Sequence, residues 1–270
     1  MFAFGRNWQS FLKHYLTDER VEEATRSLRE FCGVAAISEK SFIDVGCGSG
    51  LFSLAAMHLG ARRILSIDVD PDSVECCERL RKSAGSPEYW QVRRGSILDN
   101  ADVAAMGAFD MAYSWGVLHH TGNMWQAVTN AASLVRPGGY LYIAIYNKEE
   151  RFRFHHDGRI GSSRFWKVEK RIYSSLPWAI QNVIDYAIMA MLIAVYCITL
   201  RNPVTEIRNH KTLRGMSWRI DIKDWLGGYP YEYATVKEVT DFVSNLGFDT
   251  IKVDEKGGLV NNEFLFCKRA

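Results

Sequence analysis

The sequence predicts an open α/β sheet, doubly wound with helices on both faces and interrupted by a helical insertion. Three observations carry this reading. From Ser41 to Asn147 strand-like and helix-like segments alternate, and glycine or proline closes most of the helices. After Lys148 the rhythm breaks, and it resumes near Thr235. Such alternation argues a parallel sheet, because parallel neighbours need a crossover connection between them.

Taken in order, "SFIDV" is a short apolar strand reaching Asp44, and "LFSLAAMHLG" is a helix stopped at Gly60. "RRILSIDVD" is the second strand. "PDSVECCERLRKSAG" is a helix with Pro71 in its first turn, Asp70 as N-cap and Gly85 at its end. "EYWQVRRG" and "FDMAYSW" supply strands three and four. "MWQAVTNAASLVRPGG" reads as a helix closed by Pro137 and Gly138, and "YLYIAIYN" as strand five. Near the end, "TVKEVTDFVSNLG" is a helix with Thr235 as N-cap and Gly247 as stop. "FDTIKVDE" and "NNEFLFCKR" then return as strands around Gly257 and Gly258. The plan is an N-terminal helical lid over 1–40, a core of 41–147 with 235–270, and a cap insertion over 148–234. Ligands of such sheets bind outside the carboxyl ends of the strands. That puts Asp44, Asp68, Ser96, Ser114 and Trp115 on one rim.

With 270 residues, 47% hydrophobic and 24% charged, the chain suits one large domain carrying an insertion. Net charge is +2, from 33 basic and 31 acidic residues, which argues against a nucleic-acid partner. A local basic surface remains in the cap, at Arg151, Arg153, Arg159 and Arg164. Six scattered cysteines without a Cys-x-x-Cys read as reduced thiols of a cytoplasmic protein. "MFAFGRNWQSF" does not read as a signal peptide. No metal is expected, and His155, His156 and Asp157 read as polar cap surface. "YAIMAMLIAVYCITL", Tyr186 to Leu200, carries no charge. Its 15 residues fall short of the roughly 18–20 needed to span a bilayer. It reads first as a buried helix. Membrane-surface or lipid contact through 176–200, or a homodimer face, are the other readings.

"FIDVGCGSG" places Gly46, Gly48 and Gly50 at a strand-to-helix turn. The dinucleotide fingerprint is Gly-x-Gly-x-x-Gly, with pyrophosphate on the helix N-terminus. Here Leu51 stands where its third glycine would be, and Asp44 ahead of the loop would repel a pyrophosphate. An acid there suits a cationic amine, and the N–H groups of the helix start can hold a carboxylate. Asp68 ends the second strand, 18 residues after Gly50, placed to accept hydrogen bonds from ribose hydroxyls. A nucleoside with an ammonium and a carboxylate but no phosphate is S-adenosylmethionine.

Together these motifs resemble class I S-adenosylmethionine-dependent methyltransferases. "DVGCGSG", "SIDVD", "GSILD" and "SWGVLHHTG" are similar to that family's first four motifs, and "LVRPGGYLYIA" to its helix-to-strand-five signature. The resemblance implies a Rossmann-like seven-stranded sheet, mostly parallel with an antiparallel last strand. It implies S-adenosyl-L-methionine as cofactor, with Asp44, Gly46, Cys47, Gly48 and Gly50 about the methionine part. Asp68 and Val69 would lie at the ribose, Ser96 and Ile97 by the adenine, and Ser114, Trp115 and Gly116 beneath the methyl donor. Ser96 stands where many members carry an acid.

His119 and His120, after strand four, are the candidate general bases, with support of the site as the other reading. Methyl transfer mainly needs donor and acceptor held in line. Tyr229, Tyr231 and Glu232 of "GGYPYEYA", with Tyr146, Asn262 and the N-terminal Trp8, are the candidate acceptor contacts. The expected function is methyl transfer to a small-molecule acceptor, first a hydroxyl of a sugar, glycan precursor or secondary metabolite. The "RGMSW…DWLGGYPYEYA" pattern resembles methyltransferases of such bacterial pathways. A lipid-linked acceptor, or a non-catalytic S-adenosylmethionine-binding or scaffold protein, are the alternatives. Leu51 and Asp44 argue against a dehydrogenase.

Overall fold

A computed structural model describes residues 16–154, 160–214 and 218–270. Its main sheet has seven strands: β1 (Ser41–Val45), β2 (Arg63–Asp68), β3 (Trp90–Arg94), β4 (Phe109–Trp115), β5 (Val135–Tyr146), β8 (Phe248–Asp254) and β9 (Asn261–Lys268). A separate two-stranded hairpin joins β6 (Arg153–Phe154) to β7 (Ile160–Gly161). The sheet order is β3-β2-β1-β4-β5-β9-β8. β1, β2, β3, β4 and β5 run parallel, while β9 lies antiparallel between β5 and β8. The expected Rossmann-like architecture is what the chain forms.

Alternation along β1 shows how the sheet is held. Successive side chains of a strand point to opposite faces. Ile43 and Val45 join the apolar cluster under α5 (Met124–Ser133) and α10 (Val236–Asn245). Phe42 joins the other, with α1 (Asp18–Cys32), α2 (Leu51–His58) and α3 (Pro71–Ser83). Strand order reverses between β1 and β4, since β2 and β3 lie to one side and β4 and β5 to the other. The crevice at such a switch point is where ligands bind.

Several boundaries differ from expectation. The segment 18–32, read as part of a lid, is α1, and its Val21, Ala24 and Leu28 are built into the core cluster with α2. Trp8 and Asn7 lie outside the described residues, as do His155, His156 and Asp157. The helix expected to close at Pro137 ends at Ser133, and Val135 to Gly139 already belong to β5. An unexpected helix, α4 (Asn100–Met106), follows β3, with the Asp99 carboxylate accepting from Ala101 N (3.0 Å) and Asp102 N (3.2 Å).

The segment 148–234, expected as a cap, holds α6 (Ser163–Ser175), α7 (Trp178–Ile198), α8 (Pro203–Arg214) and α9 (Trp218–Leu226). The expected buried helix is α7, and it is neither 15 residues long nor buried. It has 21 residues and is long and apolar enough to cross a membrane. Asp185, which looked like its boundary, sits inside the helix with no exposure and accepts from Tyr173 Oη at 2.5 Å.

Candidate functional site

The turn after β1 is built on left-handed glycines: φ is 77° at Gly46, 53° at Gly48 and 82° at Gly50. Two of them also make room for the protein itself. A Cβ on Gly46 would overlap the Val117 methyls, and one on Gly50 would come within 2.6 Å of Cys77 Sγ. Val117, from the turn after β4, was not legible in the sequence as a partner of this loop.

Asp68 ties the turn to β2. Its Oδ2 accepts from Gly48 N at 3.0 Å and its Oδ1 from Asp70 N at 2.9 Å. The carboxylate is half-buried, and burial raises its pKa. Asp44 is covered more completely. Its Oδ2 accepts from Ser53 Oγ at 2.6 Å; Ser53 contacts Ser66 Oγ at 2.7 Å, and Trp90 Nε1 donates to Ser66 at 2.8 Å. Burial pushes the Asp44 carboxyl up to about 7, with the Asp68 charge adding and the Ser53 bond opposing. Cys47 is buried, and the Cys77 thiol beside it, with burial, raises its pKa, so it is no reactive thiol.

After β3, Ser96 Oγ accepts from Leu98 N (3.2 Å) and Ser96 N donates to the Asp102 carboxylate (3.1 Å). The Ile97 side chain is in the core, and its carbonyl takes the Asn130 amide at 2.7 Å. That carbonyl is therefore occupied within the protein, and Asp99 serves α4 as its N-cap. Val69 O accepts from Arg94 Nε at 3.0 Å. After β4, Ser114 Oγ donates to Val45 O at 2.9 Å, pinning the two central strands, while Trp115 is 42% exposed beside Gly116.

The two histidines serve different ends. His119 has no exposure; its Nδ1 accepts from Tyr146 N at 3.3 Å, and its Nε2 has no hydrogen-bond partner among the described residues. Burial, with His120 nearby, holds its pKa well below the usual histidine range. His120 Nδ1 donates to Pro230 O at 2.6 Å, and burial lowers its pKa to about 4. Tyr146 sits between them and Tyr231, with ring centroids 4.2 Å from His119 and 4.9 Å from Tyr231.

Several of the expected acceptor contacts also make bonds within the protein. Glu232 Oε2 accepts from Met124 N at the start of α5 (3.0 Å), and Glu232 N donates to His119 O (2.9 Å). Tyr231 is buried under Trp166 and Leu259. Asn262 has no exposure; its amide donates to Asn147 Oδ1 (3.1 Å) and its Oδ1 accepts from Lys256 N (3.0 Å). Tyr229 is half-buried in the same turn. Lys170, buried in α6, was missed altogether; it donates to Gly227 O at 2.9 Å and lies 5.5 Å from the Tyr231 ring. Gly46, Asp68, Val69, Ser96, Trp115, Gly116, His120 and Tyr146 keep some exposure along the rim.

Residues 43–143 match the methyltransferase domain family. This stretch is a class I S-adenosylmethionine-dependent methyltransferase domain. The chain is 29% identical over 123 residues to a ubiquinone biosynthesis O-methyltransferase of Methylobacterium sp. (strain 4-46), covering 46% of this chain and 47% of that one. It thus spans about half the length of the curated relatives it matches. Among solved structures, it resembles magnesium protoporphyrin IX methyltransferase of Synechocystis PCC 6803 with bound S-adenosylhomocysteine (SAH). That likeness has a TM-score of 0.53 at 12% identity, over 93% of this chain and 82% of that one. An S-adenosylmethionine-dependent methyltransferase from Mesorhizobium loti gives a TM-score of 0.54 at 14% identity, over 92% and 100%. At such identities the likeness concerns the fold.

The methyltransferase domain fits its cofactor on its own geometry. The three-glycine turn keeps side chains off the loop, and the half-buried Asp68 carboxylate stands beside it at the switch point. The histidine pair makes the domain's stability acid-sensitive. His120 titrates near 4 in the folded chain and near 6.5 unfolded. Its contribution is therefore fully present above about pH 6.5 and lost as pH falls toward 4, worth up to about 3 kcal/mol. Asp44, with its raised pKa, works in the opposite sense over about pH 4 to 7. The comparison that isolates the histidine is wild type against His120→Gln in urea. The stability gap between them should narrow as pH drops from 7 to 4; a constant gap would show that folding leaves the His120 pKa where it is in the unfolded chain.

Proposed function

We propose that this chain transfers a methyl group from S-adenosylmethionine to a hydroxyl oxygen of a small molecule, a sugar or related metabolite first. The observation that carries the reading is the partly buried Asp68 carboxylate at the end of β2, holding the three-glycine turn by Gly48 N. Curated relatives named as O-methyltransferases support oxygen as the acceptor atom. When bound, the cofactor supplies an electrophilic methyl on a sulfonium.

The chain's own part is to hold and align. Asp68 takes the ribose hydroxyls while keeping Gly48 in place, and Asp44 offers its carboxylate to the ammonium. Trp115 and Gly116 form the floor on the acceptor side. His119 is sealed from the rim and His120 is a weak base, so alignment carries the rate and the acceptor proton passes to water. His120 in this reading is a positioning residue that holds the 228–230 turn.

Calorimetry with SAH, and NAD as control, tests the cofactor; transfer of labelled methyl to a panel of hydroxyl compounds tests the acceptor. Binding of NAD alone would overturn the reading. Asp44 adds a pH signature. Because an ammonium favours the ionised carboxylate, SAH affinity should rise about tenfold between pH 6 and 8 and release a proton on binding. Asp44→Asn should flatten that profile. A flat wild-type profile would remove Asp44 from the ligand's charge balance.

A further inference from the structure

The outward face of α7 is apolar and, among the described residues, uncovered. Val183 is 68% exposed, Met191 57% and Ile198 80%, and Leu200 just beyond the helix is 95% exposed. The inward face is packed: Ile184, Ile188 and Leu192 lie on Trp218, Ile222 and Leu226, and Asp185 accepts from Tyr173 with Lys223 Nζ 4.0 Å from its other oxygen. The helix is therefore fixed to the cap along one side, with a carboxylate on that side. A bilayer span would have to bring the attached cap helices with it, whereas lying in the interface buries only the face that lacks a cover.

Charge selects the occupant. α6 adjoins α7 through Gln181, which donates to the Tyr173 and Leu176 carbonyls. It exposes Val168 and Ile172 (53% and 56%) interleaved with exposed Arg164, Lys167 and Arg171. Exposed Arg201 follows α7. Across residues 160–214 there are eight Lys and Arg against three Asp and Glu, of which Lys170 and Asp185 are buried. A twofold contact between copies would set this basic patch against itself, since an isologous interface repeats one surface on both partners. An anionic bilayer complements both features at once, with headgroups for the cations and acyl chains for the apolar face.

We propose that α7, with the adjoining face of α6, docks this protein on an anionic membrane surface. The docking face stands apart from the methyl-transfer reading and holds whatever the acceptor proves to be. The test is co-sedimentation of the full chain with phosphatidylcholine vesicles, with and without phosphatidylglycerol. Binding should be about tenfold stronger to the anionic vesicles and should weaken as salt rises. The double variant Val183→Asn with Ile198→Asn should lose vesicle binding about tenfold, yet keep its melting temperature and SAH affinity, because both side chains are exposed. Wild-type protein that stays in the supernatant, or a variant that sediments equally, would overturn the proposal. So would a dimer, seen by light scattering without vesicle binding, that the same double variant dissociates.

Discussion

Asp68→Ala is expected to weaken SAH binding about 100-fold while leaving the chain folded. Its carboxylate already does two jobs without ligand, accepting from Gly48 N and from Asp70 N. Hydrogen bonds to a charged group are worth about 1.5–3 kcal/mol each, and every 1.4 kcal/mol is tenfold in affinity. Losing the loop tether and the ribose contact together therefore reaches two orders of magnitude. Asp68→Asn should fall between, at about tenfold, since an amide keeps one accepting oxygen but sets a donor against a backbone N–H. Calorimetry decides it. An unchanged affinity for Asp68→Ala would move the ribose elsewhere and take the central support from the proposed function.

Gly46→Ala should destabilise the fold by about 3 kcal/mol, from two separable causes. A left-handed φ of 77° costs a non-glycine residue roughly 1–2 kcal/mol. The new Cβ also overlaps the Val117 methyls, and overpacking of this kind costs about 1–3 kcal/mol. In a domain of this size the melting temperature should fall about 6–12 °C. Val117→Ala in the same chain should return part of the loss, because it relieves the overlap and not the backbone strain. A double-mutant cycle reads that recovery directly. Full additivity of the two substitutions would mean that the turns after β1 and β4 do not touch.

What was legible in the sequence was local. Asp70 caps α3 by accepting from Asp72 N, and Thr235 forms a capping box with Glu238, as their spacing says. β4 and the two returning strands sit where alternation and turn residues put them. The seven-stranded sheet with its antiparallel last strand came with the family resemblance, and the strand order came only with the structure, since no local pattern states which strands are neighbours. Much of what stayed hidden is a group whose partner lies on another element. Asp185 looked like a helix boundary because an unpaired carboxylate belongs in water, and Tyr173 supplies what the reading lacked. Lys170 carried no signal in the sequence, and its role shows only with the Gly227 carbonyl beside it. Glu232 and Asn262, expected at the acceptor, also bond Met124 N and Lys256 N, which no local pattern announces. The pattern of glycines was visible, but half of its cause was Val117 and Cys77, which no spacing rule connects to them.

The stitching of the cap's return segment to the turn after β4 bears on how this chain could be remodelled. His120 is bonded to Pro230, Glu232 N to the His119 carbonyl, and the Glu232 carboxylate to Met124 N. Transplanting the cap of another methyltransferase with joints at 148 and 234 would sever all three links. Residues 118–124 would have to travel with the graft as one cassette, so new acceptor preferences must be inherited in paired segments.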